Sequence, residues 1–224
     1  MGMGRLAQGV FVGGRPGLSY GPGMVARRKM PFTRMLLDEF LSWDPDDASG
    51  AKWQLIDGEP VAMAPAGVPH GEIQAELAAL LRNHLLGREP CRAVTEPGIV
   101  PRVRADMNYR VPDLAVTCET FTRDQMLNEP VVLVEILSPS NEVETNASIW
   151  AFTTMPSVRE ILVIHSTRIA ATVLRRNADG SWPAGPEVLG AEDTVILESI
   201  GFSVALRACY RMTFLAGAGG TRAR

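Results

Sequence analysis

The sequence predicts an α/β or α+β fold, with a central mixed β-sheet flanked by helices and a β-hairpin on its N-terminal side. Three observations carry this reading. Residues 70–86, "HGEIQAELAALLRNHLL", place Ile73, Leu77, Leu80, Leu81 and Leu85 on one helical face. Residues 131–137, "VVLVEIL", are apolar at six of seven positions, as expected of a strand covered on both faces. Other strand-like runs are interleaved with two good helices, which suits a sheet with helices packed on it.

The elements follow in order. Residues 1–30 contain many glycines and no acidic residue, and read as a disordered tail. They lack the continuous apolar stretch of a secretory signal. The domain is expected over residues 31–212, and a second disordered tail over 213–224. "RMLLDEFLSW" (34–43) has helical spacing. "KWQLIDGEPVAMAPA" (52–66) reads as a hairpin turning at Asp57-Gly58, a dipeptide suited to positive φ. "CRAVTEPGIVPRV" (91–103) reads as a strand bent at Pro97-Gly98, and "YRVPDLAVTC" and "PVVLVEIL" as further strands. A helix follows from about Glu142 to Met155, with Asn141 as its cap and Glu144 three residues on. "VREILVIHS" and "IAATVLRR" are the next strands, and "NADGSWPAGP" is a loop. "DTVILESIGFSVAL" holds two short strands, and "RACYRMTFL" ends the domain in a helical turn.

Composition narrows the function. The net charge is −3 and the pI about 5.7, so the chain lacks the basic footprint of a protein that coats nucleic acid. The three cysteines are widely spaced and match neither a disulfide framework nor a zinc pattern, and a reducing cytosol is the expected compartment. No apolar run approaches the ~20 residues that span a bilayer. Only Lys29 and Lys52 are lysines; the other 20 basic residues are arginines.

Two carboxylates stand out. Glu135 lies inside the apolar run 131–137, where an unpaired charge costs several kcal/mol, so a cation, a metal or a shifted pKa is required. Asp113 raises the same problem in "VPDLAV". Its neighbour Pro112 cannot donate to a ladder, which puts Asp113 at a strand start, an edge or a bulge. Each carboxylate could pair with an arginine as structure. Alternatively, the two could share a divalent cation, and hard oxygen ligands without a His/Cys cluster favour Mg²⁺ or Mn²⁺ over zinc.

Pro112-Asp113 followed by Glu135 in an apolar strand resembles the PD-(D/E)XK signature of restriction-endonuclease-like nucleases. "WQLIDGEPVAMAPAGVPHGEIQAELAALL", "RVPDLAV", "VVLVEILSPSN" and "MPSVREILVI" also resemble, in order and spacing, the Uma-two family of that superfamily. The resemblance implies a restriction-endonuclease-like domain that hydrolyses DNA, with Asp113 and Glu135 holding Mg²⁺ or Mn²⁺ to activate a water. Nucleases of this fold often act as homodimers, though the sequence does not fix the oligomeric state; no membrane partner is expected. Two positions depart from the pattern. Gln54 stands where a glutamate is usual, and Leu137 stands where the signature lysine belongs. Lys52 is the remaining candidate ammonium, on the same strand face as Gln54 and ~6–7 Å from it. The catalytic candidates are therefore Asp113, Glu135, Gln54 and Lys52.

Three further residues are weighed. His70 reads first as a cap or exposed residue ahead of its helix, and alternatively as a phosphate or metal-shell contact. Glu72 suits the first turn of that helix and could be a third carboxylate. Ser138, like Ser140, could bond a phosphate or metal-bound water, or simply end the strand. The competing function is a catalytically degenerate member of the fold that binds nucleic acid or a protein.

Overall fold

The computed structural model describes residues 34–45, 50–121, 123–139 and 142–217. The expected tail over 1–30, the cap Asn141 and Ser140 lie outside the described residues.

The domain centres on a six-stranded mixed sheet of order β3-β4-β5-β6-β7-β8. Its strands are β3 (Arg92–Thr95), β4 (Leu114–Thr117), β5 (Pro130–Leu137), β6 (Glu160–His165), β7 (Ala171–Arg175) and β8 (Glu187–Leu189). Only β5 and β6 run parallel; the other neighbours are antiparallel. That parallel pair needs a crossover connection, and α3 (Glu142–Thr153) supplies it. Before the sheet come α1 (Leu37–Ser42), the hairpin β1 (Trp53–Ile56) and β2 (Glu59–Ala62), and α2 (Val68–Leu85). After it, β9 (Thr194–Leu197) and β10 (Phe202–Ala205) form a second hairpin.

β5 explains its own sequence. Val132, Val134 and Ile136 pack towards Ile73, Leu77, Leu81 and Leu85 of α2. Leu133 packs in the opposite cluster with Phe152 of α3, Met155 and Val158. Helices on both faces require apolar residues at odd and even positions alike. Each fully buried aliphatic side chain contributes roughly 1.5–3 kcal/mol, which is how the two helices are held.

The N-terminal hairpin turns as the sequence predicts. Asp57 (φ 51°) and Gly58 (φ 83°) occupy the left-handed region that such a two-residue turn requires. The amide of Met35 donates to Gly58 O at 2.8 Å and that of Gly58 to Met107 O at 2.8 Å, tying the turn to the segment that leads to Asp113.

Several local expectations change. α2 begins at Val68, with Pro69 in its first turn, so His70 lies inside the helix and not ahead of it. Only Leu114–Thr117 of "YRVPDLAVTC" is strand; the residues before it make isolated bridges, Tyr109 with Leu55 and Arg110 with Ile99. β8 lies where the sequence offers no strand signal. The packed chain also continues past residue 212: Thr213 and Leu215 are buried, and Phe214–Gly217 form a 3₁₀ turn.

The cysteine expectation is corrected. Cys91 and Cys118 form a disulfide, because the β3–β4 register pairs Arg92 with Thr117 and so sets their outer neighbours opposite each other. The third cysteine, Cys209, is free and buried, and burial pushes its thiol up to about 12. No helix among the described residues is long and apolar enough to cross a membrane.

Candidate functional site

Asp113 lies one residue before β4, where Pro112 interrupts regular pairing. The ladder matches Leu114 with Val134, so one step back sets Asp113 opposite Glu135. The Ile136 amide donates to Asp113 Oδ2 at 2.6 Å, which locks the carboxylate against β5. Its other oxygen, Oδ1, lies 2.8 Å from His70 Nε2, and both side chains are only 12% exposed. His70 is therefore a partner of the Pro-Asp carboxylate, which replaces its reading as a cap or exposed residue. Gln74 is four residues further along the same helix and thus on the same face. Its Nε2 donates to Asp113 O at 3.0 Å and to Glu96 Oε1 at 3.4 Å.

Glu135 is buried inside β5, as expected. Burial pushes its carboxyl well above the usual range, and the charge of Asp113 pushes it further the same way. The positive charge of Arg110 opposes both. Among the described residues no arginine forms an ion pair with either carboxylate within 4.0 Å: the partner of Asp113 is His70, and Arg110 acts on Glu135 from farther away.

Arg110 is 5% exposed. Its Nη2 donates to Asn108 Oδ1 at 3.3 Å, while Nε and Nη1 have no hydrogen-bond partner among the described residues. Burial lowers its pKa, against the pull of Asp57 and Glu135. Asn108 in turn donates to Asp57 Oδ1 at 3.2 Å and holds that carboxyl below its ordinary value, with Arg104 adding to the effect. A guanidinium with free donors thus stands within electrostatic reach of the buried carboxylate.

The other candidates are placed as follows. Gln54 Oε1 accepts the Val111 amide at 3.0 Å, so the β1 hairpin braces the residues leading to Asp113. The ammonium of Lys52 pairs with Glu96, whose own amide donates to Asp113 O at 3.1 Å. Ser138 is half-buried immediately beyond β5, and Leu137 packs against the apolar cluster that includes Phe152. Glu72 is half-buried on α2 and forms no hydrogen bond or ion pair with another described residue. The structure thus gathers Asp113, Glu135, His70, Gln54 and Lys52 around the start of β4, and leaves Glu72 outside.

Arg110, Gln74 and Glu96 are site neighbours that the sequence reading did not single out. Gln74 had a usable signal, the i, i+4 spacing from His70. Glu96 and Arg110 had none, because cross-strand register alone brings them in.

A buried glutamate with a second carboxylate beside it suits a hard divalent cation, which would relieve the repulsion and the desolvation of Glu135. Among the described residues, no group of three or more His, Cys, Asp or Glu side chains is arranged to hold a metal ion. Any such ion would therefore rest on the Asp113–Glu135 pair, with the remaining ligands drawn from water, backbone or substrate.

Comparison with known proteins bears on this geometry. A crystal structure of a protein from Anabaena variabilis ATCC 29413, described as a "putative nuclease belonging to DUF820", matches with a TM-score of 0.65 and 17% identity. The match covers 79% of this chain and 97% of that one, and it establishes a shared fold. A search of curated proteins finds no match. The profile of the Uma2 family, described as "Putative restriction endonuclease", matches residues 37–207, a span that runs from α1 past β10 and includes every site residue named above, and the chain belongs to that family.

Proposed function

We propose that this protein is a metal-dependent endonuclease that hydrolyses DNA phosphodiester bonds, with Asp113 and Glu135 as the protein ligands of Mg²⁺ or Mn²⁺. The observation that carries the reading is the pairing itself: a buried glutamate in β5 faces an aspartate across the ladder, and neither is bound by arginine. Family membership supports the same chemistry. A divalent cation held there would supply a Lewis acid for the phosphoryl oxygen and favour ionisation of the attacking water.

The chain's own groups have separable tasks. The Ile136 amide and His70 fix the two oxygens of Asp113, so its carboxylate presents one orientation. Arg110 offsets negative charge near Glu135 and so favours its ionised form. Gln54 holds the Val111 segment and keeps Asp113 in register with β5. In the reaction, a water oxygen bonds to phosphorus as the bond to the departing ester oxygen breaks. The water's proton passes to solvent, and the departing oxygen takes one up.

A second reading is a degenerate member of the family that binds nucleic acid or protein without cleavage. The observation that favours it is Leu137, which fills with an apolar side chain the position where the family signature places a lysine.

Metal-dependent cleavage of plasmid and single-stranded DNA, with Asp113→Asn as the control, separates the two. The nuclease reading expects Mn²⁺ binding by calorimetry and cleavage, both abolished by Asp113→Asn. Absence of metal binding in the unmodified protein, together with unchanged or improved stability of Asp113→Asn, would end it.

A further inference from the structure

The turn that joins β6 to β7 borders the same end of the sheet as the two carboxylates. β5 and β6 run parallel, and their register pairs Glu135 with Val163 and Leu137 with His165. Side chains alternate along a strand, so His165 follows Val163 onto the face that carries Glu135 and Leu137. Two residues along at ~3.3 Å each and one strand across at ~4.8 Å put the backbone of His165 ~8 Å from that of Glu135. The two strand ends are bonded together there: the Ser166 amide and hydroxyl both donate to Leu137 O, at 2.8 and 3.0 Å.

The turn itself is held from beneath. The His165 amide donates to Ala170 O at 3.0 Å. The hydroxyl of the buried Tyr210 shares its proton between His165 O and Ala170 O, at 2.8 and 3.0 Å, and accepts the Ala170 amide at 3.3 Å. This clamped turn presents Arg168 to solvent. Among the described residues Arg168 forms no ion pair, and its Nη2 donates to His165 Nε2 at 3.3 Å. Burial and the adjacent guanidinium lower the pKa of His165, against the pull of Glu142, so the ring is neutral at neutral pH and can accept. A neutral ring orients the guanidinium and leaves its charge without a carboxylate. A rigid turn that holds out such a multi-donor cation suits a phosphate. DNA lying over the carboxylate pair carries a charge every ~3.4 Å of axis along each strand, so a phosphate about two steps from the cleaved bond falls at the distance of this turn.

We propose that Arg168 binds a backbone phosphate of the DNA substrate, about two nucleotides from the cleaved bond, and that His165 is the positioning residue that aims its guanidinium. The inference rests on the nuclease reading above and adds a substrate contact to it. Such a contact sets the register of the strand over Asp113 and Glu135 and reads no base.

The test has two arms. In the first, the full chain binds a fluorescent DNA duplex in EDTA, read by anisotropy between ~50 and ~200 mM salt. Arg168→Gln should weaken binding severalfold at low salt and make the slope of log affinity against log salt shallower by ~0.9, the loss of one phosphate contact. Arg159→Gln is the control, because Arg159 is exposed and precedes β6 at the opposite end of the sheet; its slope should match that of the unmodified protein. His165→Ala should weaken binding severalfold by itself and no further in the Arg168→Gln background, since both changes remove one contact. An unmodified protein that binds no duplex would overturn the proposal. So would an unchanged slope for Arg168→Gln, or an equal loss for Arg159→Gln. Additive losses for His165→Ala and Arg168→Gln would overturn the positioning role. The second arm measures Mn²⁺-dependent cleavage of the same duplex. Cleavage by the unmodified protein with an unchanged slope for Arg168→Gln sinks the phosphate contact and spares the nuclease reading. Binding with the expected slope change and no cleavage does the reverse: the contact to DNA stands, and the nuclease reading falls.

Discussion

Glu135 shows what one buried charge does to a small domain. Its carboxyl is raised by burial first and by Asp113 second, so the folded protein holds a proton there at pH values where the unfolded chain has released it. The stability this confers is complete below the unfolded value near 4.5 and is lost as pH rises towards the folded value. The loss runs at up to about 1.4 kcal/mol per pH unit. Metal-free protein should therefore lose stability as the pH rises above about 4.5 in urea titrations. Glu135→Gln should flatten that slope and be the more stable protein at neutral pH. Equal slopes for the two proteins would show that Glu135 is not the group responsible. Gln54 gives a prediction of opposite kind. Its oxygen already accepts the Val111 amide, a bond that a glutamate can also make. Gln54→Glu should keep the fold, add a third negative charge beside the pair and tighten Mn²⁺ binding in calorimetry; weaker binding would place Gln54 away from the ion. At this scale Asp113 and Glu135 were legible because a charge inside an apolar run demands an explanation from sequence alone. Arg110 and Glu96 were not. Neither breaks a pattern in its own segment, and each becomes meaningful only when strands are laid side by side.

Among the elements, the segment between β3 and β4 decides whether the site forms, and it is only partly regular. Gly98 sits against the Tyr109 ring so closely that an added Cβ would lie 1.9 Å from the hydroxyl oxygen and 2.3 Å from Cζ. Here glycine is required for close approach, because Tyr109 also pairs with Leu55 of the hairpin and packs on Phe40 of α1. Gly98→Ala should therefore push the ring outward and loosen the bridge between Ile99 and Arg110, at about 1–3 kcal/mol in chemical denaturation. A loss below ~0.5 kcal/mol would mean that the ring yields freely. The helices and the long strands were read correctly because their periodicities are sustained over many residues. The start of α2 was read late, since Val68 and Pro69 precede the first clear periodic position. β8 was missed because three residues, two of them exposed, carry too little pattern to separate a strand from a loop.

At the scale of the whole molecule, the sheet joins a parallel step at β5–β6 to antiparallel neighbours, so the site and the disulfide fall at opposite ends of β4. Asp113 precedes the first residue of β4, and Cys118 follows its last. Cysteine spacing concealed the bridge, since a 27-residue separation matches no motif and only the β3–β4 register brings the sulfurs together. The consequence for stability comes largely from the unfolded chain. Closing a loop of that length removes conformational freedom equivalent to ~3–4 kcal/mol, on the chain-entropy account. Denatured, non-reduced protein should expose one alkylatable thiol, Cys209, and reduced protein three. Reduction with dithiothreitol, or the double change Cys91→Ser and Cys118→Ser, should lower unfolding stability by roughly 2–4 kcal/mol while leaving Mn²⁺ affinity near that of the oxidised protein. Affinity should hold because the Asp113 carboxylate is fixed by Ile136 and His70, neither of which the bridge touches. Three alkylated thiols in the unreduced protein would remove the bridge from the native state. A large loss of metal affinity on reduction would instead show that the two ends of β4 are mechanically linked and that the disulfide supports the site as well as the fold.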